Sequence, residues 1–193
     1  SSFLLLIISF SVSCPLLPPP PPPGCSTDEV NMVTLLLTHV ASPQQIPVDA
    51  AAAVAVVTKL LTWPVGQRFI GIDLARLLLT SEACAAQVMA QDLGMLSAGG
   101  LVPAVLELAG LSGAPPAAAA EQVLALKCMS NAFVGATRQA MLESQEAVIA
   151  AVVCIDPQQL AKPAFAPLAT VLLKLATFFF FFFFLFEYRR CLR

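Results

Sequence analysis

Charge is scarce in this chain. Charged residues make up 11% of 193 positions and the net charge is −2. A nucleic-acid-binding face needs concentrated Lys and Arg, so that function class is excluded first. Strand signals are nearly absent, because no stretch alternates cleanly with β-branched or aromatic residues. Chemistry-bearing motifs are missing as well. The sequence has no Gly-rich phosphate loop, nucleophile elbow or metal-ligand cluster. His39 is the single histidine, with no Cys or Asp at useful spacing, and reads as a surface residue rather than a base. No enzyme, cofactor or metal is implied.

Six cysteines stand at positions 14, 25, 84, 128, 154 and 191. None is spaced like a metal ligand pair. Cys84, Cys128 and Cys154 sit within apolar helical patterns and read as small buried hydrophobes of a reducing compartment.

The two ends differ from the middle. Residues 1–25 join an apolar run to the proline tract Pro18 to Pro23. The apolar run has no basic residues before it and is too short to span a bilayer. The proline tract is expected to be solvated polyproline II. Residues 176–193 hold seven consecutive phenylalanines, Phe178 to Phe184. Both ends are what pyrimidine-rich nucleotide runs encode, and translated non-coding sequence is the expectation for each. The rival for the second end is a tail anchor over 163–186, with Arg189 and Arg190 as a positive stop. Lys174 near its middle, at about 2.5–3.5 kcal/mol, and Pro167 argue against it.

What the chain does have is Ala and Leu, both strong helix formers. Punctuation divides the middle into helices over 26–40, 48–62, 67–79, 82–93, 101–111, 117–134 and 136–153, with another starting at 163. Ser26, Thr27 and Asp28 are capping candidates for the first, and residues 26–47 form a short helix and linker. Trp63-Pro64 ends the second, since a residue before proline avoids the α region. Thr80 and Ser81 cap the fourth. Asp156-Pro157 breaks the pattern. The class is all-α, an armadillo/HEAT-like helical solenoid with low-complexity ends. Trp63, Phe69 and Phe133 are the aromatic core candidates.

Residues 124–135, LALKCMSNAFVG, form a helix apolar nearly all round, which implies burial. Lys127 and Asn131, at i and i+4, share one ridge of it. An asparagine amide can meet both the donor and the acceptor of a peptide backbone. On one continuous helix Arg138 would lie within about 40° of the same azimuth, unless Gly135 breaks the helix. Without a partner, Lys127 is a snorkelling lysine and Asn131 a local cap. Asp73 and Arg76 form either an intrahelical ion pair or an arginine presented to a partner carboxylate.

Residues 60–79, LLTWPVGQRFIGIDLARLLL, together with 124–135, resemble the PUL domain of the phospholipase A-2-activating protein family. The Trp-Pro and the following helix match at Trp63, Pro64, Phe69, Asp73, Arg76 and Leu77, with Ile70 for the family's proline and Ile72 for its leucine. The second motif matches at Leu126, Lys127, Asn131, Phe133 and Gly135, with Lys for Arg. Leu168, Ala169, Thr170 and Leu172 resemble a third segment, and Lys174 falls near that segment's asparagine. The likeness spans 48–175 and leaves the family domain truncated.

The resemblance implies an armadillo-like solenoid whose basic groove binds the acidic C-terminal tail of the valosin-containing AAA+ ATPase. It implies scaffolding in ubiquitin homeostasis, in cytoplasm and nucleus. Arg76, Lys127, Asn131 and Arg138 become the expected partner-binding residues. A fragment without independent function is the remaining alternative.

Overall fold

A computed structural model describes residues 24, 26–41, 49–64, 67–91, 100–111, 118–143 and 145–191. The ten-residue apolar run, the proline tract and the linker 42–47 lie outside them. Among the described residues the secondary structure is entirely helical: α1 (Thr27–Ala41), α2 (Ala50–Leu61), α3 (Phe69–Leu78), α4 (Glu82–Gln91), α5 (Leu101–Leu108), α6 (Ala119–Ala132), α7 (Arg138–Glu143), α8 (Gln145–Val153) and α9 (Phe165–Cys191). Short 3-10 turns at Gly135–Thr137 and Lys162–Ala164 precede α7 and α9.

Local chemistry explains the ends. Ser26 and Glu29 form a capping box at the start of α1: Glu29 N–H donates to Ser26 Oγ, and Ser26 N–H to Glu29 Oε2. Two backbone donors that the helix leaves open are satisfied reciprocally. Asp49 caps α2 by accepting from the amides of Ala51 and Ala52. Glu29 also takes Lys59 Nζ at 2.8 Å, joining α1 to α2.

α6 is the hub, packing against α3, α5 and α9. Ala125, Leu126, Cys128, Met129 and Ala132 are completely buried on it. The all-round apolar pattern around 124–135 is thus a central helix. α3 in turn packs on α2, and this contact is close. A Cβ on Gly71 would stand 2.8 Å from the carbonyl carbon of Leu60 and 2.9 Å from the nitrogen of Leu61. Glycine is what lets the two backbones approach.

Three side chains depart from expectation. Phe133 is buried and Trp63 packs on the core, but Phe69 is only half-buried. Cys154 is exposed, because α8 ends at Val153 and the thiol lies beyond the packed face, whereas Cys84 and Cys128 are buried. His39 is half-buried rather than a surface residue: its Nε2 lies 3.1 Å from Ser81 Oγ, tying the last turn of α1 to the start of α4.

α9 runs through the poly-Phe segment to Cys191. Among the described residues no helix is long and apolar enough to cross a membrane.

Candidate functional site

The C-terminal end of α6 gathers most of the polar side chains singled out in the sequence. Asn131 Nδ2 donates to the main-chain oxygen of Arg76 at 2.9 Å, across to α3. Because that oxygen can only accept, the amide orientation follows: nitrogen toward α3. Its second N–H and its carbonyl oxygen meet no described partner. One residue earlier, Ser130 O accepts from Lys174 Nζ of α9 at 2.7 Å. The last carbonyls of a helix lack intrahelical donors, so a cation there also suits the helix dipole. Burial pushes the Lys174 amine below its ordinary value of 10.5.

The Arg76 side chain turns back on its own helix. Its Nη2 and Nε lie 2.6 and 2.7 Å from Asp73 Oδ1. Of the two readings of this pair, the intrahelical one is the geometry observed. Lys127 is exposed one turn before Asn131 and has no described partner. Arg138 is exposed too, but it opens α7. α6 ends at Ala132, Val134 is extended (φ −125°, ψ 153°) and Gly135 follows at φ +64°, so Arg138 leaves the 127/131 ridge. The structure therefore brings Arg76 and Asn131 together, leaves Lys127 beside them, and moves Arg138 to another helix.

Next to Asn131 opens a groove of about 390 Å³. Leu79, Thr80, Glu82 and Ala85 line one side; Asn131, Val134, Gly135 and Ala136 line the other. Arg76, Lys127 and Arg138 are not in that lining. Among the described residues lining the groove, Glu82 alone carries a charge. The groove is therefore not basic in itself.

Sequence reasoning passed over the residues that hold α6 in place. Gln122 Nε2 donates to Gln159 O at 3.1 Å, and its Oε1 accepts from Ala161 N–H at 2.8 Å. One buried amide thus clamps the segment leading into α9. Arg68 Nε donates to Glu121 Oε2 at 3.2 Å, fixing the first turn of α6 to the start of α3. Thr137 Oγ1 donates to Ala132 O at 2.7 Å and closes the turn after α6. The adjacent pair Glu121-Gln122, polar residues at the head of an apolar helix, was the available signal.

Among the described residues no group of three or more His, Cys, Asp or Glu is placed to hold a metal ion. Compared with known families, residues 18–180 match the model of the PUL domain. No curated protein and no solved structure matches.

Proposed function

Because the chain belongs to the PUL domain family, a family of protein-interaction modules, we propose that it is a non-enzymatic adaptor that binds an acidic C-terminal tail, that of the valosin-containing AAA+ ATPase, in ubiquitin-dependent protein turnover in cytoplasm and nucleus. The observation that carries this reading is Asn131. Its amide is anchored by one bond to Arg76 O, and its spare donor and acceptor open beside the groove. That geometry suits an extended peptide backbone, which offers one acceptor and one donor per residue. Lys127 is exposed four residues away, about 6 Å along the helix, where it can meet an acidic side chain of the bound tail. Arg76 contributes through its carbonyl, while its guanidinium is held by Asp73. Arg138 lies on the neighbouring helix and supplies long-range attraction.

The test is titration of the folded chain with a labelled peptide of the ATPase C-terminus. Lys127→Glu is the informative variant, since Lys127 is exposed and unbonded and the fold does not depend on it. Weakened binding, with unchanged thermal unfolding, is the expected result. No binding by the folded chain, or equal binding by Lys127→Glu, removes the reading.

A further inference from the structure

The groove beside Asn131 carries a charge opposite to the one an acidic tail calls for. We infer that this groove is a specificity pocket for a basic side chain, Lys or Arg, of an extended bound peptide, with the Glu82 carboxylate as its determinant. The inference rests on the reading that the module binds an extended peptide, and names what one position of that peptide must be.

Three observations carry it. The space, about 390 Å³, falls within the roughly 300–1,000 Å³ typical of ligand clefts. Its walls, Leu79, Ala85 and exposed Val134, are apolar and would cover the methylene stem of a long side chain. Glu82 is exposed, lines the groove and has no described hydrogen-bond or ion-pair partner. A carboxylate in a first helical turn needs no ligand to explain it, because the helix dipole favours it there. What the dipole does not explain is its place in the wall of the groove that Asn131 also lines. Apolar walls with an unpaired carboxylate in the same lining match the charge and the apolar stem of Lys or Arg. It rejects Asp and Glu by like-charge repulsion.

The two charges also differ in place: Lys127 is on α6, whereas Glu82 is on α4, which packs against the turn Gly135–Thr137 after α6. Lys127 precedes Asn131 by one turn and is not in the groove lining, whereas Val134 to Ala136 follow Asn131 and are. A peptide held at Asn131 therefore places acidic residues toward Lys127 and its basic residue at Glu82. The preferred partner segment is bipolar, and its orientation on the module is fixed by charge.

The test uses the full chain and three labelled Ala/Ser decapeptides with blocked ends, carrying a single central Lys, Gln or Glu. Wild type binds the Lys peptide roughly five- to tenfold tighter than the Glu peptide, the scale set when attraction replaces repulsion at a partly exposed site. Glu82→Gln erases the preference and Glu82→Lys inverts it. The preference also shrinks with added salt. Equal affinity for the three peptides, no binding of any, or a preference unchanged by Glu82→Lys overturns the inference. Equal affinities with Lys127-dependent binding of the acidic tail sink the Glu82 role alone. Discrimination of Lys from Glu without tail binding sinks the AAA+ partner alone.

Discussion

Arg68 and Glu121 meet 3.2 Å apart across 53 positions of sequence, with side chains only 12% and 1% exposed. The pair joins the turn after Trp63-Pro64 to the head of the hub helix α6. Its attraction is set against the cost of drying both charges, so the pair itself adds little. Removing one partner is different. Arg68→Ala takes the guanidinium away from a fully buried carboxylate, and the expected loss is about 3 kcal/mol. Arg68→Met combined with Glu121→Leu restores most of it. Urea unfolding measures both, and a single mutant no weaker than the double would contradict the account.

Gly71→Ala sets two known effects against each other. Alanine in a helix interior gains about 1 kcal/mol over glycine. Here the new methyl meets backbone atoms of Leu60 and Leu61 at 2.8 and 2.9 Å, and backbone cannot rotate away. Overpacking of this kind costs about 1–3 kcal/mol. The steric cost wins, so α2 and α3 separate and the unfolding midpoint falls. A stabilised Gly71→Ala variant would show that the two helices are free to part.

Gln122→Ala removes a clamp that one side chain makes with two backbone groups, Gln159 O and Ala161 N. Both groups lose a partner in a region where Gln122 is 2% exposed. Leaving such groups unpaired costs about 1–3 kcal/mol each when no water replaces the bond. The expected result is a loss near 2 kcal/mol, with hydrogen exchange speeding first at Ala161. Exchange unchanged at Ala161 would mean that the segment is held by other contacts.

These residues also mark what a single sequence reveals. Helix positions were readable because the signals are local: Ala and Leu richness, Trp63-Pro64, Asp156-Pro157, and the cap at Ser26. The burial of α6 was readable because it is apolar on every side. The pairings were not. Asn131 with Arg76 O, Gln122 with Gln159 and His39 with Ser81 are separated by 55, 37 and 42 positions. Nothing local distinguishes a polar side chain that will find such a partner from one that stays in water. Arg138 shows the complementary failure. Its spacing from Lys127 places it on the ridge only while the helix continues, and α6 stops at Ala132, ahead of the extended Val134 and of Gly135 at φ +64°. Glu82 entered only as a helix-start residue, since the groove it lines is made by two segments about 50 positions apart.

The cysteines supply a pH dependence with a definite sign. Burial pushes the Cys128 thiol up to about 12, with Arg76 opposing slightly. An unfolded thiol loses its proton near 9.0. Above that pH the unfolded state holds fewer protons than the native one, and native stability falls as pH rises. Between pH 9 and 10 wild type should lose about 1 kcal/mol more than Cys128→Ala, since one unit of pKa shift corresponds to 1.36 kcal/mol. At pH 8 the exposed Cys154 is alkylated in the folded chain while Cys84 and Cys128 are spared, which peptide mapping reads directly. Parallel stability curves, or alkylation of Cys128 without unfolding, would refute the burial.

Lys174 behaves in the opposite sense. Its amine donates to Ser130 O at the end of α6, where the dipole favours a cation. Burial still pulls its pKa below 10.5, so desolvation outweighs the cap. The native state then binds this proton less tightly than the unfolded chain does. In the interval just below 10.5 the unfolded state holds the extra proton, and stability from this group rises with pH. The neutral amine can still donate to Ser130 O, so the hydrogen bond survives when the charge leaves. Comparing wild type with Lys174→Met cancels the cysteine contribution common to both. The difference in stability should move in favour of wild type as pH climbs from 8 toward 10.5. A difference that is flat, or that moves the other way, would mean that the carbonyls at the end of α6 stabilise the ammonium more than burial penalises it.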